Sequence, residues 1–153
     1  MTIGRQARAA LLLLGCLLAV LGTGRATAEQ LERFGDLEVH YIVFNTTTLL
    51  PEIAERYGVP RAENQGLLNI SGRRTQDDGT TTAVPLRIEG TVANLVGQMR
   101  ALDFDEIREP GAIYYLETVT FTDRETLRFD LQVTDLETGR THPLRFQKEL
   151  WRQ

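Results

Sequence analysis

The sequence predicts a mainly β protein: an immunoglobulin-like antiparallel β-sandwich of about seven strands, with one short helix after the first strand. Segments rich in β-branched and aromatic residues recur along the chain, and turn residues separate them at intervals of about 8–12 residues. Residues 127–134 show the cleanest alternation of apolar and polar side chains. Only residues 51–57 show a convincing helical pattern. This combination favours a sandwich over a closed barrel.

The N-terminal segment has the layout of a secretory signal. Residues 5–8 carry two arginines, residues 9–21 form an apolar run broken only by glycine, and Ala26-Thr27-Ala28 offers an A-x-A cleavage site. The apolar run is shorter than the roughly 20 residues that a spanning helix needs. We therefore expect residues 1–28 to be a cleaved signal peptide, residues 29–153 to form a single domain, and the mature protein to lie in the periplasm.

Cys16 offers an alternative, because the preceding residues 13–15 resemble a weak lipoprotein box. A lipid anchor at Cys16 would leave five further apolar residues, 17–21, after the cut. The sequence favours Cys16 as an ordinary small residue of the apolar run.

The composition of the predicted mature chain excludes several classes of protein. Its 125 residues include 14 basic and 21 acidic residues, for a net charge of −7. Such a charge disfavours nucleic acid as a partner. No basic amphipathic segment is present to hold the chain on an anionic membrane, and we expect no membrane insertion after cleavage. The mature chain has no cysteine, which excludes disulfides, thiol nucleophiles and cysteine-ligated metals.

The first predicted elements are a strand and the helix. Residues 38–44 alternate in a way that places apolar side chains on both faces, so both faces are expected to be covered at least in part. Pro51 fits the first turn of the helix, Gly58 ends it, and Pro60 prevents its continuation. A helix of about two turns is unstable alone, and we expect it to lie against a sheet.

The remaining strands follow from alternation and turn residues. Pro85 at the start of one of them implies an edge position or an irregular entry. Residues 95–107 fit either a helix or a short strand, and the sequence leaves both open. The other predicted strands cover residues 66–71, 84–92, 112–121, 127–134 and a last segment from 144 onwards.

The sequence offers little catalytic chemistry. His40 and His142 are about 100 residues apart and lack a cluster of further ligands, so we expect no metal site and no cofactor. Ser71 is the single serine of the mature chain and lies within a predicted strand, outside any nucleophile motif. No catalytic residue is assigned.

Several motifs resemble a family of small exported proteins of gram-negative bacteria that is known as a domain of unknown function. The similarity covers essentially the whole mature chain and implies an immunoglobulin-like sandwich without an established activity. Its motifs are Tyr41-x-x-Phe44-Asn45, Pro51-Glu52-x-Ala54-x-x-Tyr57-Gly58, Asn64-x-Gly66-Leu67-Leu68-Asn69-Ile70-Ser71, Ala112-Ile113-Tyr114-Tyr115 and Phe146-Gln147-x-Glu149.

Four polar residues near the helix are the candidate binding residues: Asn45, Arg61, Asn64 and Asn69. Buried amides and guanidinium groups need hydrogen-bond partners, so these residues either tether the short helix or form a recognition surface. The leading hypothesis is a non-catalytic periplasmic binding or accessory module that engages a protein or peptide through loops or a sheet edge. One alternative is a small-molecule or ion carrier with a pocket between helix and sheets, and another is an enzyme that uses carboxylates.

Overall fold

The computed structural model describes residues 29–153, so the predicted signal peptide and Cys16 lie outside the described residues. In this part of the chain there are ten strands, a 3-10 turn at Thr46–Thr48 and one short α-helix. The helix is α1 (Pro51–Arg56), and the strands are β1 (Gln30–Phe34), β2 (Leu37–Asn45), β3 (Gln65–Thr75), β4 (Thr81–Val84), β5 (Leu86–Asn94), β6 (Met99–Ala101), β7 (Asp105–Glu109), β8 (Ala112–Thr120), β9 (Glu125–Asp135) and β10 (Thr141–Leu150).

The strands form two antiparallel sheets. In the first sheet the order is β1-β2-β3-β8-β7, and β4 also pairs with β3; in the second sheet the order is β10-β9-β5-β6. The predicted β-sandwich is therefore confirmed. The strand count exceeds the expected seven because β1, β4 and β6 are short segments without a clear alternation in sequence.

Alternation along the central strands separates the core from the outer faces. On β2, every second residue from Leu37 to Asn45 is buried and the intervening residues are partly exposed. The register pairs Tyr41 with Ile70 of β3, and Ile70 in turn pairs with Tyr115 of β8. All three side chains are buried in the core, as period-two side-chain placement requires.

An aromatic group in the core joins the two sheets. The Phe146 ring stacks on that of Phe129 with 4.6 Å between centroids, and it lies 4.5 Å from the ring of Tyr41 on the opposite sheet. Centroid distances in this range are favourable for aromatic pairs.

Pro85 marks the point where the chain changes sheets. β4 pairs with β3 in the first sheet, and β5, which begins one residue after Pro85, pairs with β9 in the second. The Pro85 carbonyl accepts the Leu136 N–H at 3.0 Å, and the Leu86 N–H donates to the Tyr115 hydroxyl at 2.7 Å. The irregular entry predicted at Pro85 is this crossing.

The segment that the sequence left open, residues 95–107, begins with a turn at residues 95–96 and continues as the two short strands β6 and β7. β6 forms a hairpin with β5, and residues 102–104 carry the chain back to the first sheet as β7. The Leu102 N–H donates to the Gly90 carbonyl at 3.0 Å where this return begins. On the other side of β5, Gly90 allows a close approach of β9, because a Cβ at this position would lie 2.2 Å from the Asp130 carbonyl oxygen.

Helix α1 packs on the outer face of the first sheet and builds a second, smaller hydrophobic cluster. Pro51 occupies its first turn, with Glu52 beside it and Arg56 in the last turn, which suits the helix dipole. The cluster is separate from the main core and has Leu49, Ala54, Val59 and Leu67 as its buried members.

An ion pair between a partly buried guanidinium and a buried carboxylate ties the two sheets together near the β9–β10 turn. The Arg74 guanidinium of β3 donates to the Asp135 carboxylate of β9, and the backbone N–H groups of Glu137 and Thr138 also donate to that carboxylate. Burial disfavours the charged form, but these hydrogen bonds outweigh burial, and the pKa of Asp135 is lowered.

Truncation of Phe129 to Ala should lower the free energy of unfolding by about 3–5 kcal/mol, because a buried aromatic side chain is lost from the core. The neighbouring Arg128 is exposed, and Arg128→Ala should change the free energy of unfolding by about 0.5 kcal/mol or less. Urea titrations of the two variants test the register of β9. Equal losses in both variants would contradict it.

The lowered pKa of Asp135 predicts acid sensitivity. A carboxyl whose folded-state pKa lies below its unfolded value, about 3.9, contributes stability that is fully present above the unfolded pKa. That contribution is lost as the pH falls through the folded pKa. Urea titrations from pH 7 down to pH 2 should show a shallower loss of stability for Asp135→Asn than for the unmodified protein. Parallel pH profiles for the two proteins would refute this role of Asp135.

Candidate binding site

A cleft opens at the end of the sandwich where β5 ends and β9 begins. It has a volume of about 350 Å³, within the range typical of ligand sites. Its apolar lining includes Val92, Phe121 and Leu127, which are buried residues of the main core. Arg100, Glu125 and Arg152 are the charged residues that line it. We call this feature the end cleft.

The β5–β6 hairpin forms one wall of the end cleft and presents apolar side chains to solvent at its tip. The exposed fractions are 60% for Leu95, 82% for Val96 and 67% for Met99. Leu95 and Val96 occupy the middle of the turn, where the chain reverses and packing against the core is impossible. We call these three residues the hairpin tip.

Hydrogen bonds fix the shape of this turn. The Asn94 N–H donates to the Gln98 carbonyl at 3.0 Å, and the Gly97 N–H donates to the Asn94 carbonyl at 3.1 Å. The Asn94 side chain adds two more bonds, because its Oδ1 accepts the Gln98 N–H and its Nδ2 donates to the Gln98 Oε1, both at 2.9 Å. Gly97 has a φ of +85°, which L side chains rarely adopt. The hairpin tip is therefore held in one conformation.

Glu125 connects the hairpin to the opposite wall of the cleft. Its Oε1 accepts Asn94 Nδ2 at 3.0 Å, and its Oε2 accepts the Thr122 N–H at 2.6 Å. Burial raises the pKa of this carboxyl, but the hydrogen bonds from Thr122 and Asn94 outweigh it, and the net pKa of Glu125 is lowered. The carboxylate thus stays charged and holds the hairpin in place.

A second, smaller pocket lies between helix α1 and the outer face of the first sheet. Its volume is about 20 Å³, room for about one water molecule. Asn69 lines it, and the buried Oδ1 of Asn69 has no hydrogen-bond partner among the described residues. Tyr114 also lines it, and burial raises the pKa of this phenol to about 12. The Tyr57 hydroxyl donates to Glu109 Oε1 at 3.0 Å and fastens the end of the helix to β7.

The four residues predicted from sequence do not form one cluster. Asn45 is buried on the inner side of the first sheet, and its Nδ2 donates to the Trp151 carbonyl. Arg61 donates to the Thr47 carbonyl at 2.9 Å from an exposed position. Asn64 lines the end cleft, and its backbone carbonyl accepts the Phe121 N–H at 3.0 Å.

Asn69 lies apart from Asn45 because of the strand register. Asn45 pairs with Gly66 and Ile42 pairs with Asn69, so the side chains of Asn45 and Asn69 point to opposite faces of the same sheet. The bonds made by Asn45 and Arg61 fit a tethering role for both. Asn64 lines the end cleft, and Asn69 lines the small pocket between helix α1 and the first sheet, so the two residues belong to different candidate sites.

Sequence reasoning did not identify the hairpin tip. The sequence left residues 95–107 open between a helix and a short strand, and neither alternative placed the apolar residues of the tip in an exposed turn. The tetrapeptide Asn94-Leu95-Val96-Gly97 carries the relevant pattern, because Asn and Gly bracket a turn and apolar residues between them must be exposed.

Neither a cluster of metal ligands nor a membrane-spanning helix is found in residues 29–153. In residues 29–153 there is no group of three or more His, Cys, Asp or Glu side chains that could hold a metal ion. Within the same part of the chain, no helix is long enough and apolar enough to cross a membrane.

Comparison with known proteins assigns the family. The family described as "Domain of unknown function (DUF4426)" matches residues 31–153. This chain belongs to the DUF4426 family. A solved structure of a DUF4426 family protein from Pseudomonas aeruginosa is 34% identical to it, with a TM-score of 0.69, and the match covers 82% of this chain and 96% of that chain. These matches confirm the resemblance to a domain-of-unknown-function family of gram-negative bacteria.

More distant structures share the fold of this DUF4426 protein. A copper-bound variant of FetP from uropathogenic Escherichia coli is 11% identical, with a TM-score of 0.60, over 82% of this chain and 97% of that chain. FetP as isolated after recombinant expression in the periplasm of E. coli is 14% identical, with a TM-score of 0.54, over 84% and 96% of the two chains. Comparison with curated proteins gives no match.

Alanine substitution of the two tethering residues, Asn45 and Arg61, should lower stability by amounts that depend on how buried each hydrogen bond is. Asn45→Ala should lower the free energy of unfolding by about 1–3 kcal/mol, because the Trp151 carbonyl loses its donor in a partly buried place. Arg61→Ala should lower it by about 0.5 kcal/mol or less, because its bond is exposed to water. Thermal and urea unfolding measure both. A larger loss for Arg61→Ala than for Asn45→Ala would contradict this assignment.

Proposed function

We propose that this DUF4426 protein is a non-catalytic periplasmic binding module that docks a protein partner at the hairpin tip. The observation that carries the proposal is the exposure of Leu95, Val96 and Met99 on one rigid turn beside the end cleft. Contiguous exposed apolar side chains on a folded domain are characteristic of interaction sites.

The clustering of these residues distinguishes them from ordinary surface apolar residues. The described part of the chain exposes seven large apolar side chains, and three of them belong to this single hairpin. Leu31, Leu50, Leu136 and Trp151 are the other four, and each is less exposed than the residues of the tip. Single exposed apolar residues need no explanation, whereas three on one turn provide a continuous surface for a partner to bury.

Rigidity of the turn supports the same function. Binding surfaces that are already ordered lose less conformational entropy on association. The hydrogen bonds of Asn94 and the carboxylate of Glu125 order this turn in the free protein. A disordered apolar loop would carry a much larger ordering cost.

The small pocket between helix α1 and the first sheet does not support the alternative function of a small-molecule or ion carrier at that place. With room for about one water molecule, it is far smaller than the roughly 300–1,000 Å³ of typical ligand sites. The copper named for FetP adds no support for an ion carrier, since residues 29–153 bring together no set of candidate metal ligands.

Export to the periplasm is part of the proposal. It rests on the signal-like pattern of residues 1–28. Recombinant expression of the structural neighbour FetP in the periplasm is compatible with a similar compartment. Determination of the N-terminus of the exported protein tests it, and a chain that begins at residue 29 is the expected result.

Site-specific photo-cross-linking in intact cells tests the docking surface. A benzophenone amino acid at position 95 should give a discrete adduct with a partner protein. A second substitution, Val96→Asp, should reduce the adduct by about tenfold or more, because a charge would be desolvated at the centre of the contact. Both side chains are exposed, so the melting temperature should stay unchanged.

Leu136 provides the matched control, because it is an exposed apolar residue on a different turn, between β9 and β10. The benzophenone at position 136 should give no such adduct. Equal cross-linking from positions 95 and 136, or an adduct insensitive to Val96→Asp, would overturn the proposed function.

A further inference from the structure

The second sheet ends beside the hairpin tip in an edge strand, β6, and we call the outer side of this strand the margin. β6 is the last strand of that sheet, and its three residues are all exposed. It pairs with β5 on one side through Met99, Arg100 and Ala101. No strand among the described residues pairs with its other side.

Alternation in the antiparallel ladder identifies the free backbone groups of β6. The Gln98 carbonyl accepts the Asn94 N–H and the Leu102 N–H donates to the Gly90 carbonyl, so these residues and Arg100 between them face β5. The N–H and C=O groups of Met99 and Ala101 therefore point away from β5. They form a short row to which a further strand can bond; the Ala101 carbonyl also accepts Arg100 Nη1 at 3.4 Å and keeps a second lone pair for that strand.

Charged residues or a proline set three other outer strands, β1, β7 and β10, apart from this margin; β4, which pairs only with β3, likewise has no charged residue. Four of the five residues of β7 are charged, β1 carries Glu32 and Arg33, and β10 contains Pro143, which has no N–H. Such residues discourage added strands. On β6 the one charged side chain, Arg100, turns toward the first sheet, where it donates to Glu117 Oε1 at 2.9 Å and to the Thr118 carbonyl at 2.7 Å.

The end cleft lies where the side chains of an added strand would point. Arg100 pairs with Val92, and Val92 lines the floor of the cleft. A residue of an added strand in the same row as Val92 and Arg100 would point between the two sheets. An apolar side chain in that position would lie next to Arg100, which separates it from Val92, and would cover the mouth of the end cleft.

The charges of the cleft favour an acidic residue on the bound segment. Two guanidinium groups, of Arg100 and Arg152, and one carboxylate, of Glu125, line it. The Glu125 carboxylate already accepts hydrogen bonds from Asn94 and Thr122. Arg100 is already paired with Glu117, whereas no ion pair of residues 29–153 involves the Arg152 guanidinium, so a carboxylate brought by the partner would pair with Arg152.

From these observations we infer that the end cleft binds an extended segment of a partner protein, which adds to β6 as a fifth strand of the second sheet. The segment places an apolar side chain at the mouth of the cleft and an acidic residue near Arg152. This inference rests on the proposed function, since it names how the partner docked at the hairpin tip is held.

Phage-displayed decapeptides selected on the purified protein provide the probe. Selected peptides should share an apolar residue with an acidic residue close by. N-methylation at alternate backbone positions of one such peptide should weaken binding about tenfold where the amide bonds to β6, and leave it nearly unchanged at the positions between. Charge reversal by Arg152→Glu should weaken binding of the same peptide.

Amide hydrogen exchange supplies a readout on the protein itself. The N–H groups of Met99 and Ala101 should exchange at least tenfold more slowly with peptide bound, whereas the N–H of Arg100 should change little because it already faces β5. Failure to select peptides, equal effects of N-methylation at neighbouring positions, or unchanged exchange at Met99 and Ala101 would each overturn strand addition.

These outcomes are distinguishable from failure of the proposed function. Cross-linking at position 95 that depends on Val96, without slowed exchange on β6, would refute strand addition and leave protein docking in place. Loss of the position-95 adduct in cells would refute docking at the hairpin tip itself.

Discussion

The two sheets of this protein are connected through Pro85, whose ring leaves the backbone without an N–H at the point where β4 ends. A strand that continued along β3 would need that donor, so the ladder of the first sheet stops and the chain crosses to β9. The Tyr115 hydroxyl then accepts the first N–H of β5. The position of β5 at the centre of the second sheet, and with it the hairpin and the end cleft, depends on this crossing.

The chain returns to the first sheet through residues 102–104, and this return leaves β6 as an edge strand of the second sheet. The Leu102 N–H still bonds to the Gly90 carbonyl of β5, and the chain then passes to β7 in the first sheet. On the other side of β5, Gly90 has no Cβ to collide with the Asp130 carbonyl, so β9 packs closely there. The end cleft is thus bordered by two sheets that the same segment of chain connects, and the Arg100 guanidinium spans the gap between them.

Sequence predicted the parts of the fold in which local pattern and burial agree. The alternation at Phe129 and Leu131 predicted a core strand, and Pro51 and Gly58 bracketed the helix, because these signals need no knowledge of distant partners. The candidate site required more. Asn45 and Asn69 lie near each other in sequence, but only the register of β2 against β3 shows that they point to opposite faces. Leu95 and Val96 fall in residues 95–107, which the sequence left open between a helix and a short strand, because composition alone cannot reveal that a turn places them in water.

The hydrophobic cluster beneath helix α1 is separate from the main core, so the helix and the sandwich differ in the free energy needed to open them. The main core lies between the sheets, while Leu49, Ala54, Val59 and Leu67 pack on the opposite side of the first sheet. A six-residue helix contributes little stability of its own, so detachment of α1 exposes this small cluster and leaves the main core intact. The segment from the 3-10 turn to the start of β3 therefore constitutes a cooperative unit of its own, which opens at lower free energy than the sandwich on which it rests.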